Sequence, residues 1–315
     1  MTFLQGLFAA ISAVILFLYG LQGFSRELQE IGGARLKFWL ERVTASRWRG
    51  FLVGAFATAV VQSSSAITSL AVTLVNSAVI SFRASLGVLL GANVGTTATA
   101  WLVSFKLAGI GPVFIVLGAL TSALPSRWRM AGKAVFYFGL VFFALDLISS
   151  TLGPLRDQPF AREWLAKATA PWLGVLLGLV FTALVQSSSV TTGLAIILVQ
   201  QGVLPPQAAI PIVIGANVGS TSTALLASLA MNATARAAAI AGFLFNAVGV
   251  LLYFPFITPF SNWVIAAFER PGGAVAAAHL IFNLTIGLLF LMLLHRIEPL
   301  LAKWLLTEQQ VAEVR

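Results

Sequence analysis

No cysteine occurs in the 315 residues, so a disulfide framework, a thiolate nucleophile and a cysteine metal site are all excluded. Charge is scarce as well. Asp, Glu, Lys and Arg together make up 9% of the chain against 59% apolar residues, where a soluble domain carries roughly 25% charged residues. There are two histidines, His279 and His295. An intramembrane serine hydrolase would need a base beside its serine, and neither histidine sits in a motif, so that reading has little to draw on. Between Arg42 and Asp146 there is no carboxylate at all.

What is present in quantity is apolar sequence. The mean hydropathy is +0.95, and nearly uncharged runs of about 20 residues, the length of a transmembrane helix, include Leu4–Gly23, Gly109–Leu124, Ala134–Ser149 and Ala276–Leu294. The expectation is an all-α polytopic membrane protein. Its net charge of +9 then reads as membrane topology, since cytoplasmic loops collect Lys and Arg, and no nucleic-acid partner is expected. A removable signal peptide is not expected, because no basic region precedes the first apolar run. Trp39, Trp48, Trp101, Trp128, Trp164, Trp172 and Trp263 fall mostly near expected span ends, as an aromatic belt would place them.

The chain repeats itself. Gln-Ser-Ser-Ser at 62–65 returns at 186–189, and Gly-Ala-Asn-Val-Gly at 91–95 returns at 215–219, both at an offset of 124 residues. Gly50–Phe105 and Gly174–Leu229 agree at about half of their positions. Upstream, Leu18-Tyr19-Gly20-Leu21 resembles Tyr137-Phe138-Gly139-Leu140. One unit therefore covers about 3–124 and a second about 130–254, followed by a final helix at about 273–294. The expected organisation is one membrane transport domain over 1–297 and a short polar tail over 298–315.

Within a unit the pattern predicts five elements: a span (Phe3–Phe24), an interfacial amphipathic stretch (Arg26–Arg49), a re-entrant hairpin (Gly50–Ile80), a helix broken by glycines (Arg83–Phe105) and another crossing (Gly109–Leu124). The hairpin follows from length, because each arm around Gln62–Ser65 is too short for about 30 Å of hydrocarbon at 1.5 Å per residue. Three crossings per unit make the two copies inverted repeats. With the N-terminus outside and the C-terminus cytoplasmic, Lys106, Arg156, Arg162, Lys167 and Arg270 lie outside and the other fourteen of the nineteen Lys and Arg lie inside, as the positive-inside rule asks.

Duplicated polar breaks in apolar helices are how secondary transporters build a binding site. Irregular backbone at membrane depth persists only against protein or a wet cavity. Gln62, Ser63, Ser64 and Ser65, with Gln186, Ser187, Ser188 and Ser189, are the candidate anion-binding residues. Their hydroxyls and amides donate, and the half-helix after each tip offers free N–H groups to an anion. Gln62, Ser65, Asn93, Thr96, Thr97, Gln186, Ser189, Asn217, Ser220 and Thr221 supply the oxygens that sodium, a hard cation, prefers. Gly91, Gly95, Gly215 and Gly219 are the expected helix-break glycines. Single residues of these types are common helix-packing glue; their register-locked duplication favours a site. With no charged clamp available, anion and cation are expected to neutralise each other. Asp146 reads as an interfacial structural residue, and His279 as a satisfied contact between helices.

The paired motifs resemble the type II sodium/phosphate cotransporter family, over roughly Gly50 to Gly249, including Phe-Asn-x-x-Gly at 245–249. The resemblance implies inorganic phosphate as substrate and sodium as coupling ion, with no covalent cofactor, both bound at the two Gln-Ser-Ser-Ser segments. Electrogenic members carry an acidic residue before a Phe-Asn pair; here Phe243 or Leu280 stands there, which implies electroneutral transport. Many bacterial relatives end in a PhoU-like helical domain, and a chain ending at Arg315 would need a separate PhoU-like regulator. A homodimer, another oxyanion or small carboxylate as substrate, and a passive anion channel stay open.

Overall fold

The structure is a computed structural model that describes residues 3–41, 46–105, 109–125, 127–156 and 169–307. Arg42, Lys106, Arg162, Trp164, Lys167 and Arg315, which entered the charge and aromatic readings, lie outside the described residues. Among the described residues every regular element is helical, with no strand. Six segments are long and apolar enough to cross a membrane: 8–33, 82–104, 128–151, 206–228, 233–267 and 271–305. This is a multi-pass membrane protein.

The first copy opens with α1 (Phe3–Glu41), then α2 (Arg47–Val61), α3 (Ser64–Asn76), α4 (Phe82–Ser104) and α5 (Gly111–Ser122). The second opens with α6 (Arg127–Arg156), then α7 (Pro171–Val185), α8 (Ser188–Gln200), α9 (Pro206–Ser220), α10 (Ser222–Ser228) and α11 (Ala233–Tyr253). A 3-10 turn at Phe254–Phe256 leads to α12 (Ile257–Ala267), and α13 (Pro271–Leu305) follows. The duplication is visible in the helix boundaries: α2 and α7, α3 and α8, and α4 and the α9–α10 pair begin and end 124 residues apart.

Several expectations change. The first span and the amphipathic stretch form one helix of 39 residues, with no break near Phe24; its second half has enough apolar surface to keep packing, and Leu40 is fully buried. The fourth element is also unbroken. Helix α4 runs straight through Gly91–Gly95, and in the second copy the interruption falls at Thr221, after the glycines. Gly91, Gly95, Gly215 and Gly219 are therefore not helix breaks. They are close-approach points: a Cβ on Gly91 would sit 1.9 Å from the Phe51 carbonyl oxygen, one on Gly95 2.3 Å from that of Ala55, one on Gly215 2.0 Å from that of Val175 and one on Gly219 2.3 Å from that of Leu179. Small residues let apolar helices meet backbone to backbone where the hydrophobic effect gives no drive.

Helix α5 has 12 residues, about 18 Å at 1.5 Å per residue, and is shorter than the expected crossing. It lies antiparallel along α6, with Gly111 against Phe143 and Gly118 against Phe136. Lastly, α12 occupies a stretch with no predicted element, and the final helix runs on to Leu305, past the start of the expected polar tail and through Pro299. Ion pairs tie the first copy to the second and to the final helix. Lys133 on α6 pairs with the buried Glu27 of α1 at 3.7 Å, and Arg83 at the start of α4 pairs with Glu298 near the end of α13. Asp146 takes the structural role expected of it, accepting the Gly109 N–H at 3.1 Å. His279 differs: it is fully buried, and neither ring nitrogen has a partner among the described residues.

Candidate functional site

Each Gln-Ser-Ser-Ser segment folds the same way. Helix α2 closes on Gln62, whose N–H donates to the Thr58 carbonyl at 2.7 Å and whose backbone is left-handed, φ 58 and ψ 28. Ser63 is extended at φ −148 and ψ 101, and its Oγ caps α3 by accepting the Ala66 N–H at 3.2 Å. In the second copy Gln186 has φ 56 and ψ 29, Ser187 has φ −149 and ψ 106, and Ser187 Oγ accepts the Val190 N–H at 3.4 Å. Serine is a strong N-cap, so each motif ends one short helix and starts another. The first turn of α3 and of α8 then leaves Ser64, Ser65, Ser188 and Ser189 N–H groups without partners inside their own helix.

The two tips meet. Ser65 Oγ donates to the Gln186 carbonyl oxygen at 3.3 Å, and Thr99 Oγ1 donates to Gln62 Oε1 at 2.9 Å while lying 3.4 Å from Ser189 Oγ. Together they wall a cavity of about 240 Å³ lined by all eight motif residues. At about 30 Å³ per water, it has room for a tetrahedral oxyanion with some of its hydration. Among the described residues no ionisable side chain lines it, so an anion there meets hydroxyls, amides and helix N-termini.

A second, much smaller cavity of about 20 Å³ lies beside the first, lined by Ser64, Thr68, Asn93, Ser220, Thr221 and Asn246 among its polar residues. It holds about one water-sized body. Asn93 Nδ2 donates to Asn246 Oδ1 at 3.0 Å. Three of the sodium candidates, Asn93, Ser220 and Thr221, therefore come together from both copies, and Gln62, Ser65, Gln186 and Ser189 line the larger cavity. Thr96, Thr97 and Asn217 line neither. Thr96 and Thr97 donate to the Ala92 and Val94 carbonyls at 2.9 and 2.7 Å, and Asn217 donates to that of Val213 at 3.0 Å, each within its own helix. Ser64 borders both cavities.

The family model described as Na+/Pi-cotransporter matches residues 16–150 and 158–254. The chain belongs to the Na+/Pi-cotransporter family. The resemblance drawn from the paired motifs is thereby confirmed, and because the family is one of transporters, the chain is not an enzyme. Among curated proteins it is 29% identical over 283 residues to "Uncharacterized protein YqeW" of Bacillus subtilis, covering 89% of this chain and 92% of that one. It is 31% identical over 277 residues to "Putative inorganic phosphate export protein YjbB" of Salmonella typhimurium, covering 87% of this chain and 51% of that one. A 141-residue stretch, 44% of this chain and 22% of the other, is 36% identical to "Sodium-dependent phosphate transport protein 2C" of the mouse. The chain thus spans about half the length of the export protein, and no solved structure matches it.

Helix α1 supplies a wall of the larger cavity that the motifs alone do not reveal: Gln22, Ser25 and Gln29. Ser25 Oγ donates to the Val61 carbonyl at 3.2 Å and Gln29 Nε2 to Ser25 Oγ at 3.0 Å, which ties α1 to the first tip. The signal was present as three polar residues spaced i, i+3 and i+7 on an apolar helix, which share one face.

Proposed function

We propose that the chain is a sodium-coupled transporter of inorganic phosphate, a symporter working by alternating access between two inverted repeats. The single observation that carries this reading is Ser64, which borders both the oxyanion-sized cavity and the cavity of one-ion size. A phosphate bound among N–H groups and hydroxyls, with no cationic side chain among the described residues of the wall, is favoured by a sodium ion next to it, and the reverse holds equally. That reciprocity is thermodynamic coupling. The mouse relative is named for sodium and phosphate together, and the Salmonella relative for phosphate. A coupled carrier runs in whichever direction its gradients dictate, so import and export are one mechanism.

The test is labelled-phosphate flux in proteoliposomes with and without a sodium gradient, with arsenate, sulfate and succinate as competitors. Concentrative, sodium-dependent uptake is expected, together with no measurable phosphate binding in sodium-free buffer. Saturable binding without sodium would sink the coupling, and gradient-independent flux without accumulation would mean a passive channel.

The inverted arrangement, with the N-terminus outside and the C-terminus cytoplasmic, rests on the bias of Lys and Arg. Single cysteines at Ser77 and Gln201, equivalent ends of the two hairpins, should react with an impermeant thiol reagent from opposite faces of the membrane. Reaction from one face would make the repeats parallel.

A further inference from the structure

Although the two tips share backbone geometry, their side chains do not occupy equivalent states. Gln62 is buried and accepts from Thr99, which also touches Ser189. Every partner in that trio has a copy 124 residues away: Gln186, Thr223 and Ser65. Yet Gln186 is exposed in the larger cavity, Ser65 donates instead to the Gln186 backbone, and Thr223 Oγ1 is buried with no partner among the described residues. Thr68 in the first copy donates to the Ser65 carbonyl at 3.2 Å, whereas its copy Thr192 is buried and also without a partner. The idle hydroxyls with intact counterparts both belong to the second repeat. Thr58 is a different case, because its copy Thr182 pairs with Thr191 at 2.6 Å and residue 67 is isoleucine.

A buried hydroxyl without a partner is unfavourable, and it persists where another state of the molecule satisfies it. We propose that Thr99 and Thr223 are paired positioning residues of the transport cycle. Thr99 holds Gln62 inward in the state seen here. In the state of opposite access Thr223 takes Gln186, closes against Ser65, and Thr99 releases Gln62 into the cavity. The two repeats thereby exchange side-chain arrangements, which gives two states of similar free energy that substrate can bias. This inference rests on the alternating-access reading above.

The absence of cysteine makes a direct test simple. Val185→Cys, at the cavity wall, reports access through its labelling rate by an impermeant thiol reagent, applied from whichever face of sealed vesicles labels the parent. With sodium and phosphate present, so that both states are populated, Thr99→Val and Thr223→Val should shift labelling from any one face in opposite directions, Thr99→Val slowing it and Thr223→Val speeding it on the face to which the state seen here opens. Each substitution should change the ratio of the two states about fivefold, the shift that one net hydrogen bond supports, which moves the labelling rate about two- to threefold when the states are comparably populated. Thr99→Ser and Thr223→Ser keep the hydroxyl and should keep the parental rate, which a purely steric role would not require. Shifts of the two valine variants in the same direction, or no shift, would overturn the proposal. A parent reporter with no sodium-dependent flux would instead refute the transport reading, and the ratio of the two valine variants would still be readable.

Discussion

Replacing Ser64 with alanine lowers apparent phosphate affinity about 10- to 100-fold and raises the half-saturating sodium concentration as well. Ser188→Ala weakens phosphate to a similar degree and leaves the sodium dependence unchanged. Both serines start a half-helix at a tip, and both are buried, 7% and 3% exposed, so neither hydroxyl is replaceable by bulk water. A hydrogen bond to a charged partner contributes about 1.5–3 kcal/mol, the equivalent of that range of affinity. The difference between them comes from the smaller cavity, which Ser64 lines and Ser188 does not. Flux in proteoliposomes, titrated separately with phosphate and sodium, measures both effects. Ser122→Ala, on α5 and donating only to the Ala119 carbonyl, serves as the control. Equal sodium shifts in the two variants would remove Ser64 from its bridging position.

The asymmetry between these serines could not be read from a sequence in which both copies say Gln-Ser-Ser-Ser. Position in the repeat was legible: a polar tetrapeptide between two short apolar arms cannot be a continuous span, and the left-handed Gln62 and Gln186 with their capping serines are the physical form of that break. What lay outside local pattern was the partner of each residue. Asn93 meets Asn246 from 153 residues away, a contact that neither period nor spacing encodes. The two tips also differ in burial, Gln62 being buried and Gln186 exposed, although their sequence is the same. The α1 face of Gln22, Ser25 and Gln29 was legible in principle, but it carries no duplicate to draw attention to it.

Glycine was the residue type most open to misreading, and it makes the second large prediction. A pair of glycines flanking an asparagine fits either a break or a close approach, since both need the missing Cβ. If Gly91 existed to break α4, alanine would strengthen the helix by roughly 0.5–1 kcal/mol. The packing predicts the opposite sign. A Cβ at Gly91 meets the Phe51 carbonyl oxygen at 1.9 Å and the Ala55 nitrogen at 2.9 Å, and one at Gly215 meets the Val175 oxygen at 2.0 Å. These are backbone atoms of α2 and α7, so no side chain can turn aside; the whole helix must move. Overpacking of this kind costs about 3 kcal/mol, the upper end of its usual range. Because α2 and α7 end on Gln62 and Gln186, the displacement also misplaces both tips. Gly91→Ala and Gly215→Ala should therefore melt at markedly lower temperature in detergent and lose most of their flux. Gly33→Ala on α1, where a Cβ meets nothing within 4 Å, should hold or slightly gain stability. If all three behave alike, α2 does not press on α4 as closely as described. If only the first two fail, the Gly-Ala-Asn-Val-Gly segments are what bring each hairpin arm against its neighbouring helix and so set the positions of the two tips.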